Sequence, residues 1–299
     1  MTRKRKTVHQ QEENIAMLDK TNDLKVIEGD AGKTLPTTWE IGVRAGDLHD
    51  ALRRVRYAIC REVTRYYLGG VYVHRHDESL RFVATDGHVL GRTDANIVCG
   101  DSARIFPAIL SRAWVLDALK ATKRQRDSYK TVTLRVGQER AALIDWAGGC
   151  VAEAALVEGA FPDYTRVVPV GDPPKGRVTV LREQLIGAVT AVTAFAKASD
   201  GNRAPHLCFS FGSSDDDGKL IVSKTADDGF AKATVMLAKA PPAPVDIGFD
   251  GEKLLAVVKG IDASEVRIDL YDVGGPCNVG SDYAVDAHVL HTIMPCRIN

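Results

Sequence analysis

The feature that most constrains this chain is a duplication: one order of helices and strands is written twice, offset by about 135–140 residues. The first copy opens with a helix-like run from Asp47 that sets Leu48, Ala51, Leu52, Val55 and Ile59 on one face. The second answers with Leu181, Leu185, Ile186, Val189, Val192 and Phe195. Each copy then predicts strands divided by a polar turn. In the first these are Val71–Val73, the turn His76–Ser79 and Leu80–Val83; in the second, Leu207–Phe211, the loop from Ser213 to Gly218 and Leu220–Val222. A second helix follows, through Trp114, Val115, Leu116, Ala118 and Leu119 in one copy. In the other it starts at an N-cap, Asp250, and runs through Leu254, Leu255, Val257 and Val258. Val132–Val136, Val266–Leu270 and a closing strand complete the copies. Two helices packed on one side of an antiparallel sheet, twice over, predict an α+β protein.

The remaining composition narrows the class. The 299 residues suffice for two buried cores, and no apolar run approaches the ~20 residues that cross a bilayer. Arg3, Lys4, Arg5 and Lys6 have no apolar stretch behind them, so no secretory signal is expected. Cys60, Cys99, Cys150, Cys208, Cys277 and Cys296 are scattered without a C-x-x-C pair, which points to reduced thiols in a cytoplasm. The 39 Lys and Arg balance 39 Asp and Glu, unlike a protein that grips DNA through many phosphates. Residues 1–38 read as a polar tail with short apolar clusters such as Ile15–Leu18, and 39–170 and 171–299 as two domains.

Enzyme signatures are absent. Asp86 with His88 could be drawn as an acid/base pair, but the Asp-Gly step is explained by a hairpin turn. His74 and His76 lack a third ligand at metal spacing, and Asp215–Asp217 read as a solvated loop. No metal or cofactor is expected.

Four strings in order carry a resemblance: Thr64–Tyr72, Val83–Leu90, Phe161–Pro169 and Ile293–Ile298. Together they resemble the bacterial sliding clamp, the β subunit of DNA polymerase III, over its second and third domains. The resemblance implies tandem clamp domains in a closed ring of six, helices lining the hole and sheets outside. Two domains per chain then imply a homotrimer joined head to tail. The partners implied are double-stranded DNA, encircled without sequence readout, the polymerase III catalytic subunit, the clamp loader and other clamp-binding-motif proteins. An alternative is a clamp-derived module that binds such peptides without forming a ring. Where the family places bulky aliphatic residues toward a neighbouring subunit, this chain has Ala196 and Lys197.

The resemblance also implies two sites. A peptide groove would be built from Arg65, Tyr67, Leu68, Thr85, Gly87, His88, Val89, Leu90, Pro162, Arg166, Val167, Thr292, Ile293, Met294, Pro295, Cys296 and Arg297. Val89 stands where the family often has Arg, and Cys296 where it usually has a second Met. Facing DNA would be Arg53, Arg54, Arg56 and Arg61 with Tyr66 and Tyr67; Arg112, Lys120, Lys123, Arg124 and Arg126; and Arg182, Lys197, Lys253 and Lys259.

Overall fold

The computed structural model describes residues 37–123, 129–169, 173–200, 205–212, 218–227, 229–272, 274–282 and 288–298. The first unit begins with β1 (Thr37–Arg44), so Thr37 and Thr38, assigned above to the tail, belong to a strand. Helix α1 (Ala45–Val55) follows, burying Leu48, Ala51, Leu52 and Val55 at the spacing the sequence predicts. It gives way to a 3₁₀ turn at Arg56–Ala58, so Ile59 lies beyond the helix, though still buried. The chain continues through β2 (Gly70–His76), β3 (Ser79–Thr85), β4 (Val89–Gly100) and β5 (Ala108–Ser111). Helix α2 (Arg112–Thr122) is capped by the Ser111 hydroxyl, which accepts from the Trp114 amide. Strands β6 (Thr131–Gly137), β7 (Arg140–Ile144) and β8 (Cys150–Ala155) end the unit.

The second unit repeats this series as β9 (Gly176–Leu181), α3 (Arg182–Asp200), β10 (His206–Phe211), β11 (Lys219–Ala226), β12 (Gly229–Lys239) and β13 (Val245–Asp250). Helix α4 (Gly251–Gly260), β14 (Glu265–Leu270), β15 (Cys277–Gly280) and β16 (Leu290–Ile293) complete it. Asp250 is the N-cap of α4, accepting from the amides of Glu252 and Lys253. One expectation fails: Leu181 ends β9 instead of opening the helix face, and it is exposed. An apolar side chain at a strand end continues helical spacing by coincidence when the helix starts at the next residue.

The strand order is β5-β2-β3-β4-β1-β6-β7-β8 in the first unit and β13-β10-β11-β12-β9-β14-β15-β16 in the second. The two orders match strand for strand, and every pairing is antiparallel. Each unit closes on itself at the same place, by isolated bridges between Leu110 and Leu156 and between Gly248 and Cys296. Side chains such as Leu52, Phe82 and Trp114 in one unit and Phe209, Phe249 and Leu254 in the other are fully buried between helices and sheet. Each contributes roughly 1.5–3 kcal/mol by burial.

The units meet through β16, which pairs with β4 in the order Leu290–Arg92, His291–Gly91, Thr292–Leu90 and Ile293–Val89. This one ladder joins both halves into a single sixteen-stranded sheet. The helices form a row: α2 packs on α1, α1 touches α4, and α4 packs on α3. Asp262, just past α4, accepts from the guanidiniums of Arg53 and Arg54. Burial alone would raise the Asp262 pKa, but the two arginines hold it below the ordinary carboxylate range.

His291 is fully buried at this seam, its Nδ1 2.8 Å from the Tyr57 hydroxyl. Its Nε2 has no hydrogen-bond partner. Burial, aided by nearby Arg54, pushes its pKa from 6.5 down to about 3, so the ring is neutral. A histidine whose folded pKa is depressed binds fewer protons than in the unfolded chain, so stability falls as pH drops below about 6.5. Between pH 7 and 5 the expected loss is about 2 kcal/mol. Thermal melts of the native protein and of His291→Gln, which retains a polar partner for Tyr57 without titrating, check this. Equal dependence of Tm on pH in both proteins over that window would rule His291 out.

Candidate peptide groove and helix-lined face

The turn between β3 and β4 is the best-determined part of the expected groove. The Thr85 hydroxyl donates to the Val89 carbonyl at 2.7 Å, and the Gly87 amide donates back to that hydroxyl at 3.1 Å. The Asp86 carboxylate accepts from the amides of His88 and Val89 at 2.8 and 2.9 Å. Gly87 has φ 89°, a left-handed conformation, and a Cβ there would lie 2.7 Å from Arg65 Nη1. Arg65 clamps the turn from outside, donating to the Asp86 carbonyl at 2.8 Å while its other nitrogens hold Glu62.

Two further segments converge on this turn. Just past β16, the Met294 amide donates to the His88 carbonyl at 2.8 Å. The connector between units lays Tyr164 and Val168 against Val83 and Leu90, with Phe161 stacked on Tyr72 at 4.8 Å. The chain thereby brings Arg65, Thr85, Gly87, His88 and Met294 together, with the Pro162–Val167 stretch carried on the same connector. His88, Pro162, Arg166, Val167, Met294 and Arg297 are exposed; Arg65, Tyr67, Thr85, Pro295 and Cys296 are half-buried. Arg166 and Val167 also line a shallow pocket of about 270 Å³ with Lys175, Tyr271 and Pro276 of the second unit.

Other expected groove residues have a different place. Val89, Leu90, Thr292 and Ile293 are buried and face one another in the ladder that joins the units, and Leu68 is buried too. Cys296 turns away to β13, where its amide donates to the Gly248 carbonyl at 2.8 Å. The Asp86–His88 acid/base pair is not formed: the Asp86 carboxylate is taken up by backbone amides and by the Lys253 ammonium. Burial works to raise the Asp86 pKa, but Lys253 and those amides hold it below the usual range. His74 is bonded to Tyr164 at 3.0 Å, and the described residues contain no cluster of three metal-ligating side chains.

The basic residues expected to face DNA divide sharply. Arg53, Arg54 and Lys253 reach across the seam, pairing with Asp262 and Asp86. Lys120 pairs with Asp117, Arg182 with Glu183, and Lys197 with Glu252. Arg56, Arg61, Arg112, Lys123 and Lys259 are exposed and have no ion-pair partner among the described residues. Arg124 and Arg126, and the loop Asp215–Asp217, lie outside the described residues. Tyr66 is exposed, edge-on to Tyr67 at 5.8 Å, and the Tyr66 ring and the Tyr67 Cβ lie beside Gly159. Ala196 is fully buried in its own unit. Asp262, Tyr57 and His291 were missed by the sequence reading, because their roles depend on partners more than 200 residues away.

Two units of matching topology, each with two helices on antiparallel sheet and spliced edge to edge, define the DNA-clamp fold. The sequence matches the family described as DNA polymerase III beta subunit, central domain, over residues 43–163. It is 30% identical over 265 residues to the beta sliding clamp of Pseudomonas aeruginosa, covering 88% of this chain and 67% of that one. The beta sliding clamp of Caulobacter vibrioides is 26% identical over 262 residues, with 86% and 66% covered. The chain thus spans about two thirds of the length of these curated relatives. The crystal structure of the Bartonella birtlesii sliding clamp bound to griselimycin superposes with a TM-score of 0.77 at 26% identity, over 93% of this chain and 70% of that one. The chain belongs to the bacterial beta sliding clamp family.

Gly87→Ala should cost about 1–3 kcal/mol, since it puts an L side chain at positive φ and against Arg65. Denaturant melts of the two proteins measure it; an unchanged midpoint would mean that the turn tolerates another conformation.

Proposed function

We propose that this protein is a processivity clamp that encircles duplex DNA and tethers a replicative polymerase through a peptide groove. The observation that carries the reading is the splice between β16 and β4, which sets four helices in one row on one side of a continuous sheet. Repeated around a closed path, that row would line a hole and the sheet would form its wall. The two domains are the β1–β8 unit, starting at Thr37, and the β9–β16 unit, and a six-domain ring takes three copies of this 299-residue chain. The exposed Arg56, Arg61, Arg112, Lys123 and Lys259 supply positive potential without base readout, which suits sliding. Holding the polymerase on a ring raises its effective concentration at the primer end. The protein acts by topology in the cytoplasm, with no catalytic step.

The groove would accept an extended peptide carried by the polymerase III catalytic subunit, the clamp loader or other clamp-binding-motif proteins. Exposed Val167 and Met294 offer apolar contact, Met294 adapting to several side chains. The anchored turn beside them presents His88 and Arg65 for polar contacts. Among the described residues, no helix is long and apolar enough to cross a membrane.

Retention on nicked circular DNA that is lost on linearisation is the expected behaviour. Equal release from circular and linear DNA would leave only a peptide-binding module. Reversing Arg56, Arg112 and Lys123 to Glu should reduce loading at least tenfold at low salt, with peptide affinity unchanged; undiminished loading would place DNA elsewhere. Met294→Glu should weaken binding of a polymerase-derived peptide at least tenfold while circular DNA is still retained. Native peptide affinity in that variant would mean that the groove is wrongly located.

A further inference from the structure

The duplication places a hollow at the same point of both units. Ile41 lies opposite Leu134 as Val178 lies opposite Ile268, and the closing bridge Leu110–Leu156 corresponds to Gly248–Cys296. Trp39, Ile109 and Val136 of the first unit are thereby the counterparts of Gly176, Ile247 and Leu270 of the second. Each set lines a hollow beside its bridge, yet the volumes differ: about 620 Å³ in the first unit and about 210 Å³ in the second.

The residues explain the difference. In the second unit Pro241 closes over Gly176, lying 3.4 Å from where a Cβ of that glycine would stand, and Pro242 joins the wall. In the first unit Trp39 takes the glycine's place, and its indole Nε1 donates to the Phe106 carbonyl at 3.0 Å. That bond holds the segment ahead of β5, whose Phe106 ring lines the hollow and is 62% exposed. The connector between units adds a further wall through Val157 and Phe161. The lining includes two carboxylates and no lysine or arginine: Glu139 and Glu158 are exposed and have no ion-pair partner among the described residues. An open apolar hollow edged with unpaired negative charge fits an apolar segment that carries a cation.

The chain itself supplies such a segment. Residues 1–36 lead into β1, whose Thr38 and Trp39 line the hollow. Among them, Leu24-Lys25-Val26-Ile27 sets one cation inside an apolar run. The nine residues Glu28–Pro36, with Gly29 and Gly32, separate that run from Thr37. A spacer of that length reaches at most roughly 30 Å, and its glycines permit a reversal of the chain. Ile15–Leu18 has no cation inside its run and stands farther from β1. We propose that Leu24–Ile27 docks in the hollow of its own chain, with its apolar side chains against Phe106 and the connector and the Lys25 ammonium beside Glu139 and Glu158. The short spacer favours the chain's own segment over that of a second molecule, because tethering holds it at an effective concentration on the order of millimolar. The second unit, narrowed by its own prolines, takes no such segment. Docking covers the exposed Phe106 ring and sets the segment against the same connector that carries Pro162–Val167.

Carbodiimide coupling of the full native chain is expected to join Lys25 to Glu139 or Glu158 within one molecule, read by peptide mass mapping of mixed isotope-labelled and unlabelled chains. Leu24→Asp with Ile27→Asp should abolish that coupling. Trypsin should cut after Lys25 at least tenfold faster in Phe106→Ser than in the native protein, with cutting after Lys6 and circular dichroism unchanged. Because Phe106 is exposed, that substitution takes nothing from the core. Coupling found only between labelled and unlabelled chains would overturn docking within one chain and seat a second copy's segment in the hollow. No coupling to either glutamate, or equal cutting after Lys25 in both proteins, would overturn the proposal outright.

Discussion

Four residues of β16 lying on four residues of β4 hold the architecture together. Each unit packs its helices on its own sheet, and the flanks that face one another, Val89–Arg92 of β4 and Leu290–Ile293 of β16, are paired by the ladder. What the ladder adds is relative placement. It aligns two helix pairs into one row, brings Met294 to the His88 carbonyl, and buries His291 where no water can reach it. The ladder thereby gathers the residues of the expected groove at the junction of the two units.

Charge at this seam is arranged for holding, at the expense of the potential presented to a nucleic acid. Arg53 and Arg54 share Asp262, and Lys253 reaches Asp86. A partly buried ion pair gains from low dielectric only when both partners are present, and removing one leaves a costly unpaired charge. Arg56, Arg61, Arg112, Lys123 and Lys259 remain exposed, with no ion-pair partner among the described residues.

Much of the fold was legible in the residues themselves. The burial of Leu48, Ala51, Leu52 and Val55 follows from helical spacing, and the Asp250 cap and the turn at Gly87 follow from local chemistry. The long strand β12 was not legible, because Phe230, Lys232, Thr234 and Met236 alternate with small residues and show no clean apolar face. The β16–β4 ladder was not legible either. Val89–Arg92 and Leu290–Ile293 carry no local mark of their pairing, and what they share is a complementary edge. The residues that the resemblance names for a groove include several that gather near the turn at Gly87. Only the structure separates those that face outward, such as Val167 and Met294, from those that brace the ladder, such as Leu90 and Thr292.

The sequence distance across that ladder carries a kinetic consequence. Joining Val89–Arg92 to Leu290–Ile293 closes a loop of about 200 residues, whereas each unit's core forms through much nearer contacts. Folding should therefore complete both units before the ladder zips. During that interval the waiting flank of β4 is chemically indifferent to which molecule supplies β16. At high concentration during refolding, two chains could exchange terminal strands and satisfy every hydrogen bond, giving intertwined pairs that share all native contacts.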